Sequence, residues 1–167
     1  MEYYSQYLDL KDEWQESGCG PVSLLMLMEL LGGENLPSPN ELYQAGLDVD
    51  GYLTEVGWKH NSLAELAKKY GFLNSQAIDL AKKPGENGEI IPIEEALDGL
   101  KENLKNGPVI VSVYRYYDPN RGGHLIVLKS LDKEKAVIID PRERGEQVWT
   151  VADFLNRWKQ RFIVVAK

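Results

Sequence analysis

Residues 15–32 read QESGCGPVSLLMLMELLG, and Cys19, the single cysteine of the 167-residue chain, stands between two glycines at the head of its apolar run. The segment VSLLMLMELL consists mostly of strong helix formers and stops at Gly32-Gly33, which predicts a buried helix from about Gly20 to Leu31. Pro21 suits the first turn, where a missing N–H costs nothing. One cysteine cannot close an internal disulfide, and an isolated thiol is ordinarily a small core hydrophobe. The other possibility is a reactive thiol. That needs a base and a group to orient it.

The composition bounds the answer. A chain of this length forms one domain, 1–167, and can bury a substantial core. With 43% hydrophobic and 27% charged residues it has the profile of a soluble globular protein. A net charge of -7 without Lys/Arg clusters argues against nucleic acid as a partner. No stretch approaches the roughly 18 apolar residues that a membrane span needs. The N-terminus, MEYYSQYLDLKDEW, is acidic and has no apolar signal core. The expectation is a soluble monomer, either cytoplasmic or exported with its signal already removed.

Outward from the cysteine the chain changes character halfway. SPNELYQAGL (38–47) reads as a short helix, and NSLAELAKKYGF (61–72) as another, with Asn61 or Ser62 as N-cap and Gly71 at its end. AKKPGENGEIIP (81–92) reads as loop and IEEALDGLKEN (93–103) as an amphipathic helix. After it come GPVIVSVYRYY, GGHLIVLKSLD, KAVIIDP and RFIVVAK, apolar runs of strand length rich in β-branched residues. SLDKEKAVI joins two of them as an antiparallel hairpin. TVADFLNRW interrupts the strands as a helix, with Thr150 as N-cap and Asp153 completing a capping box. Helices first and a mostly antiparallel sheet afterwards define an α+β fold.

Two histidines occur, His60 and His124. His124 opens the strand GGHLIVL, and Asp140 ends the next one, VIIDP. If the two strands pair through the DKEK turn, His124 and Asp140 become neighbours. An acid held against an imidazole fixes its tautomer and stabilises its charged form. A helix N-terminus favours a thiolate at Cys19. Nucleophile, base and orienting acid thus share one topology.

With these motifs in place, SGCGPVSLLMLMELLG, the spaced residues of Gly57–Gly71, GPVIVSV, GGHLIVL, VIIDP and FLNRW together resemble the papain-like cysteine peptidases related to bacteriocin-processing, double-glycine-cutting peptidases. The resemblance spans nearly the whole chain and keeps the motif order. It implies a papain-like fold with Cys19 as nucleophile, His124 as general base and acid, and Asp140 as orienter. It further implies a glutamine upstream of the cysteine that stabilises the oxyanion. Gln6 in SQYLD matches the family's opening and is the expected donor, with Gln15 as the alternative. The expected reaction is hydrolysis of a peptide or related amide in a peptide or protein substrate, through an acyl-enzyme. An acyl transferase or isopeptidase on the same scaffold, and a peptide-binding module without turnover, are the other readings.

The remaining candidates carry plainer roles. His60 is expected to cap or orient the helix that begins beside it, with a place beside the site or in the substrate cleft as the alternative, and Trp58 to pack under the cleft. Asp118 in YYDPNRGGH competes with Asp140 as partner of His124, but lies in a loop. Gly20, Gly122 and Gly123 allow close backbone approach or unusual φ angles. One cysteine and two distant histidines have no metal-ligand spacing, so no metal or cofactor is expected.

Overall fold

The computed structural model describes residues 2–83 and 87–167. Its centre is an antiparallel sheet of six strands in the order β3-β8-β4-β5-β6-β7. These are β3 (Gln76–Asp79), β4 (Val109–Tyr114), β5 (Gly123–Leu131), β6 (Lys135–Ile139), β7 (Glu146–Thr150) and β8 (Trp158–Val164). A two-stranded hairpin, β1 (Tyr52–Leu53) and β2 (Gly57–Trp58), stands apart from it.

Helices cover both faces of the sheet. On one face α1 (Cys19–Leu30), α2 (Pro39–Asp48) and α3 (His60–Lys68) pack with Ile110, Leu125, Val127, Ile139 and Ile163. On the other, α4 (Ile93–Leu104) and α5 (Val151–Arg157) pack with Val109, Val111, Val113, Ile126, Leu128 and Ile138. Successive residues of β4 and β5 therefore enter opposite cores, and both cores want apolar side chains. That is why these strands read as continuous apolar runs and not as the alternation of a half-exposed antiparallel sheet. Each fully buried aliphatic residue contributes about 1.5–3 kcal/mol.

α1 lies deepest. Every residue from Val22 to Met28 is fully buried, as the all-round apolar sequence requires. Ser23 is its one hydroxyl in that stretch, and it donates to the Leu125 carbonyl of β5 at 3.0 Å. α2 starts at a complete capping box between Ser38 and Glu41. At α5 the Thr150 hydroxyl accepts from the Asp153 N–H at 3.1 Å, the forward half of the expected box. α3 begins at His60 with Lys59 as N-cap, ahead of the expected Asn61 or Ser62.

Four strands exceed the sequence expectation. β3 and β7 are short edge strands with little apolar content, and β1–β2 is a minimal hairpin. Of the expected loop 81–92, residues 84–86 lie outside the described residues; on either side Lys82 bridges Ile90. Among the described residues no helix is long and apolar enough to cross a membrane.

Candidate active site

Cys19 is the first residue of α1, and it is buried. The two flanking glycines are there for space, since neither has a left-handed backbone. A Cβ on Gly18 would collide with the Leu10 side chain and press on Gln6 Cβ at 3.0 Å. A Cβ on Gly20 would lie 2.6 Å from Trp58 Cγ. The same indole blocks a Cβ on Gly46 at 2.6 Å, and it meets Tyr43 edge-on at 5.2 Å. Its Nε1 donates to the Ser17 carbonyl at 2.6 Å. Trp58 is thus a rigid wedge under the loop that delivers the thiol, as expected of a residue below the cleft.

β5 and β6 pair with Val127 opposite Ile139, so Asp140 lies one step past the strand end and diagonal to His124. His124 donates from Nε2 to Asp140 Oδ1 at 2.7 Å, and both side chains are buried. The same Oδ1 accepts the Arg142 N–H at 2.9 Å, which ties the acid into the turn that follows. With Nε2 engaged, Nδ1 is the ring nitrogen left to the thiol. Asp118 plays no part: its Oδ1 accepts from Asn120, and its other oxygen faces Arg121 at 3.5 Å.

Burial opposes charge on all three groups, and their mutual contacts outweigh it. For Cys19, burial pushes the pKa up, but the contact with His124, the Leu125 backbone and Arg115 bring it below the ordinary thiol range. For His124, burial disfavours the cation, while the hydrogen bond to Asp140 and the neighbouring Cys19 thiol raise the pKa. Burial also works against ionised Asp140, whose pKa is nonetheless lowered by His124 and the Arg142 N–H. The arrangement favours thiolate, imidazolium and carboxylate in a row.

Both glutamines are near, with different roles. Gln6 is 2% exposed and packs against Gly18. Its backbone N–H donates to the Pro141 carbonyl at 2.7 Å, its Nε2 to the Gln15 carbonyl at 2.6 Å, and its buried Oε1 has no partner among the described residues. Gln15 turns its own amide away, toward the Leu10 carbonyl and Asp12. EYYSQY is held down by Tyr4 on Glu29 at 2.8 Å and Tyr3 on Glu146 at 3.1 Å.

Cys19 and His124 open onto a cavity of about 670 Å3 that is also lined by Trp58, His60, Lys159 and Arg161. His60 departs from expectation. It is the first residue of α3 but supplies no cap bond, and it lines the cleft instead. Burial, then Arg161 and Lys159, depress its pKa to about 4, so it is neutral at pH 7. Among the described residues no group of three or more His, Cys, Asp or Glu could hold a metal ion.

A thiol at the start of a buried helix, packed on an antiparallel sheet that bears a histidine and an acid, is the architecture of cysteine peptidases of papain-like fold. The chain belongs to the Peptidase_C39 like family, whose family model matches residues 1–162. Solved structures share the fold. A protein from Bacillus anthracis described as a C39-like peptidase is 21% identical, with a TM-score of 0.65 over 99% of this chain and 94% of that one. The peptidase domain of Streptococcus ComA, a bi-functional ABC transporter involved in quorum sensing, is 20% identical with a TM-score of 0.65, covering 99% and 97%. A double glycine motif protease from an AMS/PCAT transporter, solved with its leader peptide, is 19% identical with a TM-score of 0.54, covering 87% and 81%. No curated protein sequence matches the chain.

Two expectations follow. Gly20→Ala forces a methyl into the rigid indole and should lower stability by about 1–3 kcal/mol, read as a drop in the thermal midpoint. His60 has a depressed pKa when folded, so below the unfolded value of 6.5 the unfolded chain binds the proton first. Its contribution is whole above pH 6.5 and declines as pH falls to about 4. Urea titrations across that window should show a flatter acid loss for His60→Gln than for the parent. His124 runs the other way: its pKa is raised, so its contribution is whole below 6.5 and fades as pH rises through the folded value.

Proposed function

We propose that the protein is a cysteine peptidase that cleaves peptide bonds through Cys19, His124 and Asp140. The observation that carries this reading is the buried His124–Asp140 hydrogen bond at 2.7 Å, next to a buried Cys19 at the head of α1 whose thiol pKa is lowered by His124. The thiolate attacks the scissile carbonyl, and the oxyanion develops beside the free N–H groups of the first turn of α1. His124 gives its Nδ1 proton to the leaving amine, and the acyl-enzyme remains. A water that loses its proton to His124 then releases the acid and restores the thiol. Asp140 keeps Nε2 protonated and the ring oriented throughout. A peptide as substrate agrees with the leader peptide bound to the AMS/PCAT relative.

Gln6 is the proposed side-chain donor to the oxyanion. Its Nε2 carries a second hydrogen beyond the one given to Gln15, and the side chain packs beside the loop that ends at Cys19.

The first test is alkylation with iodoacetamide across pH. Labelling of Cys19 should stay fast well below the ordinary thiol pKa of about 8.5, and should lose that low-pH plateau in His124→Ala. A rate that climbs only near 8.5 in the parent would remove the ion pair and with it this reading. On a cleaved peptide, His124→Ala should cost about 100- to 10,000-fold, and Asp140→Asn less than Asp140→Ala.

The second test separates the glutamines. Gln6→Ala should lower turnover about 100- to 1,000-fold while alkylation of Cys19 stays near the parent rate, because alkylation builds no oxyanion. Gln15→Ala should be close to neutral. Sensitivity at Gln15 with indifference at Gln6 would reassign the donor.

A further inference from the structure

The chain carries 26 acidic residues against 19 lysines and arginines, yet its cleft has the opposite sign. Lys59, Arg115, Arg121, Lys159 and Arg161 line the cavity, against Glu55 and Asp79. Four of the five cations are engaged: Lys59 with Asp50, Arg121 with Asp118, Arg161 with Asp79, and Arg115 on the Glu16 carbonyl. Lys159 is different. It is half-buried, and among the described residues it forms no ion pair, its Nζ lying instead over the Tyr114 ring at 5.7 Å from the centroid. Its pKa is lowered by burial and by the neighbouring Arg161. A Cβ placed on Gly123 would lie 3.5 Å from its Nζ, so the ammonium rests against the backbone that immediately precedes His124.

The backbone is distorted to present it. Gln160, between Lys159 and Arg161, has φ 57, a left-handed conformation that glutamine seldom adopts. The register of β8 against β4 shifts at this point, from Phe162 opposite Val111 to Trp158 opposite Val113. The Gln160 side chain holds the distortion by donating to the Leu80 and Ile91 carbonyls at 3.0 and 2.9 Å. Bulges of this kind re-aim side chains beside active sites. Here both flanking cations line the cleft, where they meet His60 and the first turn of α3. A carboxylate arriving there would give an ion-pair partner to a partly desolvated ammonium that has none among the described residues, in a site where screening is weaker than at the surface.

We propose that Lys159, flanked by Arg161 and His60, forms a carboxylate subsite, and that the preferred peptide carries an acidic group within about two residues of the scissile bond. The proposal rests on the peptidase reading. The carboxylate could be a side chain or a peptide's C-terminus, and both would pair with Lys159 in the same way.

The test uses peptidyl vinyl sulfones with Asp, Asn or Lys at each position flanking the electrophile, and a matched pair ending in a free carboxylate or its amide. Inactivation rates are divided by the iodoacetamide rate of the same variant, which corrects for any change in the thiol. In the parent the Asp probe should react at least tenfold faster than the Asn probe at one position. That ratio should fall to near one in Lys159→Met, and Lys159→Glu should favour the Lys probe. If the carboxylate-ended probe alone shows the preference, the subsite takes a chain terminus. Equal rates for Asp and Asn with equal rates for the terminal pair, or a preference that survives Lys159→Met, would overturn the subsite while leaving the peptidase reading intact. Iodoacetamide labelling with no reaction from any peptide probe would overturn the peptide cleft itself, and the subsite with it.

Discussion

The seam between α1 and β5 is the constraint on which the site depends. Cys19 begins the helix, His124 lies near the start of the strand, and their approach is set by how closely the two elements pack. The Ser23 hydroxyl, one turn into α1, is bonded to Leu125, the residue after His124. A buried hydroxyl without that bond would cost about 1–3 kcal/mol, so the bond also fixes the helix along the strand. From the other side, Trp58 bears on Gly20, and Ser17 is held by the indole N–H. The thiol is therefore located by packing on both flanks before any contact with the imidazole is counted.

Placing charge inside such a seam is costly, because desolvation of a buried ion pair can exceed the attraction between its members. The arrangement meets that cost in steps. Asp140 is stabilised by a backbone N–H from its own turn, His124 by Asp140, and Cys19 by His124, the Leu125 backbone and the more distant Arg115. Each ion is answered by the next. The acidic composition and the cation-lined cleft differ in sign, so the local field near the thiol is not that of the chain as a whole.

Much of this was legible in the sequence because the signals were local. An apolar run after CGP foretold a buried helix with Cys19 at its head, and a four-residue hairpin turn brought His124 and Asp140 together by register alone. What escaped was non-local. β3 and β7 pair at the sheet edges on the strength of neighbours distant in sequence, with few apolar residues of their own. GWKHNSL favours a helix-end role for His60 over a place in the cleft, since nothing in it shows that the Lys159 and Arg161 of β8 come near. Lys159 and Arg161 were hidden most deeply. The left-handed turn between them is taken by Gln160, a residue type that carries no turn signal, and it is held by carbonyls 80 and 69 positions away.

The N-terminal segment joins the two halves of the site. Gln6 is bonded at once to Pro141, next to the acid, and to Gln15, four residues before the nucleophile. It therefore clasps the loop that carries Cys19 to the turn that carries Asp140, the two parts of the site that no strand pairing connects. Because its backbone is fixed to Pro141 and not to its sequence neighbours, the amide keeps its place whatever path residues 7–14 take toward the helix. A glutamine thirteen positions upstream can thus serve a site whose other members are set by one helix and one hairpin.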